Sequence, residues 1–516
     1  MAKHIVHLHS SEEDKVPGAN QLSAGEIAVN NYAGKECLYI KNSENDIIRI
    51  PSDNIVENKL NKVTSVTSES TDTQYVSAKC LYDFVEQIYG TDITNPSIGY
   101  YKDLSKYDIY GVPQDTRETA NCYVISRTGL YCFPLVYGNG IKHYPDSSQY
   151  HNEHDFNTIA YSLSQVGTYQ TQFTNYLGNS IVSPYIESDT GVIINSVEIL
   201  MADEENVISD LSITSSVPTG ESCNFIKFHV DRIPFTGANV IIGIKDAERN
   251  IIWSWHIWLW RENLATISIT NYSGNTYNFL PVNLGSKYDN TTIYNTEPKR
   301  HIKSWYYQWG RKDPMLLPES YNSNNNHAYY GTTSFSIEPC AASVAESIKN
   351  PCTFYKSDSN SNYNYNWVQL NYYYNFWDAT CGSTGATEKV IVKTIYDPCP
   401  RDFTVPNARV FTGFTSTGNN TSTAEKFNVI GSFANGWYFK KNENDSSGAF
   451  FPASGYRYYS GGGLTFVGIY GDFWSAGVGS ATLAYFLSFT SGCVNPLYTN
   501  LRADAFPVRP VKGGGA

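Results

Sequence analysis

At 516 residues the chain is longer than one hydrophobic core usually organises, so two or three domains are expected. Hydrophobic residues make up 41% and charged residues only 17%, and 41 Tyr stand against 3 Met, a composition that favours strands and turns over helices. The formal net charge of -12 comes with no cluster of Lys and Arg, which argues against nucleic acid as a partner; no run of about 18 apolar residues occurs, which argues against a membrane span.

The opening MAKHIVHLHSSEEDK has no long apolar core behind its basic residue, so neither a signal peptide nor a membrane anchor is expected. Residues 1–60 read as a small β module, with QLSAGEIAVN (Gln21 to Asn30), ECLYIKN (Glu36 to Asn42) and DIIRIP (Asp46 to Pro51) as short strands separated by turns. Residues 61–94 read as a linker and an oligomerising helix. In SAKCLYDFVEQIYG, Ser77 is the N-cap and Leu81, Phe84, Val85 and Ile88 share one helical face. A helix this short is marginal alone, so it packs either on copies of itself, a threefold bundle being favoured, or on the next domain.

Residues 95–275 alternate apolar and polar positions in bursts punctuated by Gly, Pro, Asn or Asp, which predicts a β-sandwich. The bursts include NCYVIS (Asn121 to Ser126), LYCFPLVYG (Leu130 to Gly138) and FIKFHV (Phe225 to Val230). A hairpin is expected to join NVIIGIKD (Asn239 to Asp246) to IIWSWHIW (Ile251 to Trp258) through Ala247 to Asn250. Residues 276–512 are rich in Tyr, Asn, Gly and Trp, with low-complexity stretches Tyr321 to Tyr330 and Ser359 to Trp377 that suit ordered loops wrapped on a sheet. Residues 513–516 are a flexible tail. The fold class expected is therefore mainly β.

Two resemblances bear on function. QLSAGEIAVN, LYIKN and SAKCLYDFV, over about 90 residues, resemble the opening of tail-fibre proteins of phages infecting gut Bacteroidales, crAss-like phages included, where an attachment module precedes a short trimerising helix. Further on, seven blocks occur in order: TANCYVISRTGLYCFPLVYGNG, IIWSWHIW, NLGS, YYQWGRKDP, YDPCPRDFTVP, FPASGYR and AFPVRPVK. They resemble Bacteroidales surface adhesins with a FISUMP domain, related to C-type-lectin-like folds. The resemblance implies a strand- and loop-rich α+β head that contacts the host through side chains near the C-terminus. The sequence departs from the family ahead of NLGS, where FLPV (Phe279 to Val282) stands in place of a basic-aspartate lead, and this leaves the ligand open.

The stretch GYRYYSGGGLTFVGIYGDFWSAG (Gly455 to Gly477) carries the candidate site. A sugar ring stacks its C–H face on Tyr or Trp while short polar groups bond its hydroxyls, so Tyr458, Tyr459, Phe466, Tyr470 and Asp472 are the expected binding face. Gly461 to Gly463 and Gly471 supply turns, while Phe473 and Trp474 read as core. His7 and His9 alternate on a possible strand, which reads as a solvated terminus in preference to a threefold metal site. Calcium-lectin motifs are missing, and neither a cofactor nor a metal is expected.

Ten Cys without a CxxC pair read as reduced and buried, although Cys340 with Cys352, or Cys381 with Cys399, are candidates to pair in oxidising surroundings. No catalytic residue is assigned, since no nucleophile, phosphate or zinc motif occurs. The expectation is a homotrimeric, non-enzymatic tail-fibre protein of a virion, assembled in the host cytoplasm. Its partners are other tail proteins and a host surface glycan or outer-membrane protein. Alternatives are a bacterial adhesin, a purely structural tail component and a capsule depolymerase.

Overall fold

The computed structural model describes residues 8–23, 27–33, 37–42, 44–51, 62–63, 75–76, 101–142, 173–189, 191–214, 223–261, 264–287, 304–315, 336–359, 365–369 and 373–513. The chain is mainly β and divides into two units, Met1–Tyr100 and Tyr101–Ala516. Among the described residues no helix is long and apolar enough to cross a membrane.

In the first unit, strands Leu8–Ser10, Ile27–Asn30, Cys37–Lys41 and Ile47–Pro51 form one sheet in chain order, the first pair parallel and the others antiparallel. Alternation sends Cys37 and Tyr39 inward against Ala28 and Leu22. The Asn42 side chain accepts from the N–H groups of Glu44 and Asp46 at 3.0 and 2.8 Å, and this closes the last hairpin. His9 is exposed on the first strand, while His7 and the helical face of Leu81, Phe84, Val85 and Ile88 lie outside the described residues.

The second unit begins with two four-stranded sheets. One runs Ser196–Ala202, Ala238–Lys245, Ile251–Leu259, Cys122–Ile125; the other Ile208–Thr214, Phe225–Val230, Gly129–Pro134, Lys102–Asp103. Aromatic side chains meet between them, with the Phe133 ring 4.9 Å from Tyr123, 5.2 Å from Trp255 and 6.2 Å from Phe228. The expected hairpin is present, with Asn239 opposite Trp258 and the turn residue Arg249 at φ 68.

Both strands of that hairpin are buried at every position because both their faces are covered. Trp255 faces the second sheet, whereas Ser254, His256 and Trp258 face the chain beyond residue 280. Ser254 donates to Asp313 at 2.6 Å, His256 stacks on Trp305 at 4.5 Å, and Trp258 donates to the Ser286 carbonyl at 3.1 Å. One core cluster therefore takes side chains from both sides of residue 275. Burial pushes the His256 imidazole down to about 3, so it sits there as a neutral ring.

Downstream, Ile267–Thr270, Thr276–Phe279, Val511–Lys512 and Phe403–Thr404 form an antiparallel sheet in that order. Residue 279 thus lies beside residue 511. A second sheet runs Tyr307–Gln308, Ala505–Phe506, Tyr456–Arg457, Leu464–Thr465. Two three-stranded sheets follow, Val429–Ile430 with Gly436–Lys440 and Gly448–Pro452, and Gly471–Val478 with Leu483–Phe489 and Val494–Leu501. Between them lies a core of Phe279, Phe414, Phe439, Phe451, Phe473 and Phe489. Among the described residues the one α-helix is Val344–Lys349, capped by the Ser343 hydroxyl accepting from the Glu346 N–H at 3.2 Å.

Buried polar braces tie these layers together. Arg509 donates to Asn283 Oδ1 at 2.7 Å, to the Pro281 carbonyl at 2.8 Å and to the Phe450 carbonyl at 3.1 Å, with its guanidinium 4.3 Å from the Phe451 ring centre. Asp397 accepts from the N–H groups of Cys399 and Val405 at 2.7 and 3.0 Å, and Arg401 reaches the carbonyls of Ser105 and Thr116. Neither candidate disulfide, Cys340 with Cys352 or Cys381 with Cys399, is formed. Cys340 instead turns its Sγ to the Asn366 carbonyl at 3.2 Å and Cys381 to that of Ser383 at 3.7 Å.

Candidate functional site: an aromatic ladder

The site grows from the hairpin Tyr456–Arg457 and Leu464–Thr465. Its turn is tight: Tyr458 N–H donates to the Gly463 carbonyl at 3.0 Å, and Gly462 N–H returns to the Tyr458 carbonyl at 2.8 Å. Gly462 has φ +66, and a Cβ there would stand 2.9 Å from the Phe354 ring, so both backbone and space demand glycine. Beneath the turn, buried Arg457 donates to the Gly462 carbonyl at 2.7 Å.

After the hairpin the chain turns again at Phe466, which holds φ +56, uncommon for a bulky residue, and whose carbonyl accepts from Ile469 and Tyr470, both at 3.0 Å. The strained backbone lifts this ring into solvent. Phe466 is 45% exposed, Tyr458 42% and Ile469 53%, while Tyr459 and Tyr470 are half-buried.

The rings form a continuous ladder. Centroid separations run 5.5 Å from Tyr365 to Tyr459, 4.4 Å to Tyr458, 6.5 Å to Tyr456, 5.9 Å to Phe466 and 4.9 Å to Tyr470. A hydrogen bond with Tyr458 is the first cause that pushes the Tyr459 hydroxyl up to about 12, so the Tyr459 phenol stays protonated at neutral pH. Four of the five expected face residues, Tyr458, Tyr459, Phe466 and Tyr470, are thereby brought together.

Asp472 is not on this face and is only 2% exposed. The strand has already begun at Gly471, every position of Gly471–Val478 is buried, and Asp472 lies opposite Ser488 in the neighbouring strand. Gly471 likewise serves close packing, since a Cβ there would meet the Phe489 ring. Burial pushes the Asp472 carboxyl up to about 7, and raises that of Asp504 well above the usual range. Asp504 accepts the Tyr459 N–H at 2.7 Å and so fixes the ladder from below.

Phe473 and Trp474 are fully buried, Trp474 donating to the Tyr307 carbonyl at 2.7 Å and stacking on Phe506 at 4.1 Å. Sequence reasoning passed over Tyr456, Ile469 and Tyr365. Tyr456 was signalled by its i, i+2 spacing to Tyr458; Tyr365, about ninety positions upstream, had no local signal.

The ladder offers stacking surfaces and hydroxyl donors, with both nearby carboxyls out of reach of solvent. Among the described residues no group of three or more His, Cys, Asp or Glu is placed to hold a metal. A cavity of about 700 Å³ lies elsewhere, between strands Ser196–Ala202 and Ile208–Thr214, walled by Val197, Ile199 and Leu211. Its rim carboxylates Glu198 and Glu204 are already paired with Lys245 and Lys287. No family model, no curated protein and no solved structure matches the chain.

Proposed function

We propose that this chain is a homotrimeric phage tail-fibre subunit that attaches the virion to its host by binding a surface glycan or an outer-membrane protein, without cleaving it. In this reading, residues 1 to about 90 join it to other tail proteins. The paired sheets of residues 95–275 act as a β-sandwich spacer, and residues 276–512 form a C-type-lectin-like binding head. The observation that carries the reading is the exposed aromatic ladder at residues 456–470, rigid rings displayed on glycine turns and braced by Arg457 and Asp504. The antiparallel pairing of Phe279 with Val511 supports a head whose two ends meet.

The test is binding of fluorescently labelled full-length protein to candidate host cells, with and without enzymatic removal of the capsule. Tyr458→Ala combined with Phe466→Ala is expected to lower binding at least about tenfold while leaving the circular dichroism unchanged, since both rings are exposed. Loss on capsule removal identifies a glycan receptor, and retention a protein one. A folded trimer that ignores every susceptible host would overturn the attachment reading in favour of a purely structural tail component.

A further inference from the structure

We infer that Asp504 is a positioning residue for the ladder and that, with Asp472 beside it, it forms a proton-dependent clasp. While the pair holds a proton the ladder stands; when the pair gives it up, the ladder's outer rings come loose. This rests on the binding role proposed above and adds a control over it.

Chain geometry puts both carboxyls under one ring. Gly455 N–H donates to the Tyr470 carbonyl at 2.8 Å, which lays the start of strand Gly471–Val478 against the residue ahead of Tyr456. Arg457 pairs with Ala505, which lays Asp504 against the residues that follow Tyr456. Trp474 N–H donates to the Pro507 carbonyl at 3.1 Å and its ring stacks on Phe506, so the stretches carrying Asp472 and Asp504 run side by side. Tyr456, in the middle of the ladder, registers both: after burial, Asp504 and then Asp472 push its hydroxyl up.

The surroundings leave the pair little room for charge. Each carboxyl residue is 2% exposed. Asp472 meets the Ser488 hydroxyl, and among the described residues its Oδ1 has no hydrogen-bond partner. Asp504 accepts the Tyr459 N–H and is raised further by Asp472. The groups that face the pair are therefore Tyr456, Tyr459, Ser488 and each other, with Tyr458 and Tyr470 next along the ladder. Among the described residues no Lys or Arg acts on either carboxyl, and Arg457 is turned to the Gly462 carbonyl. Two carboxylates enclosed without a cation cannot both ionise, so the pair keeps a proton that an exposed carboxyl releases near about pH 4.

That proton is the clasp. With it in place, at most one negative charge is buried, and Asp504 holds the backbone of Tyr459, whose ring carries Tyr458 on one side and Tyr365 on the other. Burial pushes the Asp472 carboxyl up to about 7, so the proton leaves as pH rises through neutrality. The second charge then has one hydroxyl to meet it, and water is the next donor. Water enters when the turn that Asp504 holds, residues 458–463, lifts, which breaks the Asp504–Tyr459 bond and takes the exposed Tyr458 ring with it. A folded pKa above the unfolded one sets the sign: the clasp is closed below about pH 7 and opens above it.

Hydrogen exchange of full-length protein from about pH 5.5 to about pH 8.5, corrected for intrinsic rates, reads the Tyr459 amide directly. Wild type is expected to lose about tenfold in protection there across that range, more than the amides of strand Gly436–Lys440, and Asp472→Asn to lose none. Asp504→Asn, which keeps an acceptor oxygen, should protect Tyr459 below about pH 7 as wild type does, and Asp504→Ala should not. Adhesion of labelled wild type to host cells should fall about tenfold over the same range, with Asp472→Asn flat. A flat wild-type profile, a loss shared equally by the Gly436–Lys440 amides, or the same slope in Asp472→Asn overturns the inference. Adhesion that ignores pH while Tyr459 protection falls overturns the link from clasp to binding and leaves the ladder's role standing. A clasp that opens as expected in a protein that binds no host cell at any pH removes the attachment reading and not the clasp.

Discussion

Asp472 shows how much a single side chain depends on what covers it. In the sequence it sits in a Tyr-Gly-Asp run that reads as a loop tip. The structure makes Gly471 the first residue of a strand buried on both faces, a context that no local alternation announces. Its folded pKa of about 7 lies above the usual unfolded value near 3.9, so the carboxyl is protonated in both states below about pH 4. Between about pH 4 and 7 the unfolded chain releases the proton first, so stability falls as pH rises through that window, and the loss is complete above it. Asp504, also raised, acts in the same direction. Asp472→Asn is expected to match wild type near pH 4 and to exceed it above pH 7 by about 2 to 4 kcal/mol, read from urea midpoints across that range. The tyrosines and Phe466 were legible because aromatic residues next to glycine turns have few places to go except outward. The missed Tyr365 joins the ladder only through the tertiary fold.

Individual strands were readable wherever turn chemistry bounded them. The hairpin from Ala238 to Leu259 is closed by Asp246, which accepts the Asn250 N–H at 2.8 Å, and the Asn42 turn follows the same rule. The braces were not readable, because their partners are far apart: Arg509 and Asn283 are separated by 226 positions. They do, however, occupy the blocks that resemble FISUMP adhesins. Arg509 lies in AFPVRPVK, Asn283 in NLGS, Asp397 and Arg401 in YDPCPRDFTVP, and Arg457 in FPASGYR, each spent on internal hydrogen bonds. Those blocks carry architecture, while the proposed ligand face, Tyr456 apart, lies between them. Arg509→Met keeps most of the volume but orphans Asn283 Oδ1 and the carbonyls of Pro281 and Phe450. It should cost about 3 kcal/mol, seen as a lower melting temperature of the full chain.

For the molecule as a whole, the mainly β class was plain from composition. The shift in composition near residue 276 does not interrupt packing: Trp258 and Trp305 belong to one core, as do Trp255 and Trp309. Such joining is a property of three-dimensional contact and leaves no periodic trace. The homotrimer proposed above makes a direct prediction. Light scattering of the purified chain should give about three times its 57.8 kDa, and Leu81→Asp with Phe84→Asp should reduce it to a monomer. The monomer should keep its single-site affinity in solution but adhere about 10² to 10⁴ times less well to a cell surface, because effective concentration is lost with the linkage.

The place of strand Val511–Lys512 between Thr276–Phe279 and Phe403–Thr404 also sets a clock on biosynthesis. Residue 279 leaves the ribosome about 230 residues before its partner, a wait of roughly ten to fifty seconds at ordinary elongation rates. For that interval a strand edge with a fully hydrophobic inner face has no neighbour, which is the condition under which nascent chains pair with one another. This sheet is therefore among the last parts to close and among those most in need of protection while the chain is being made.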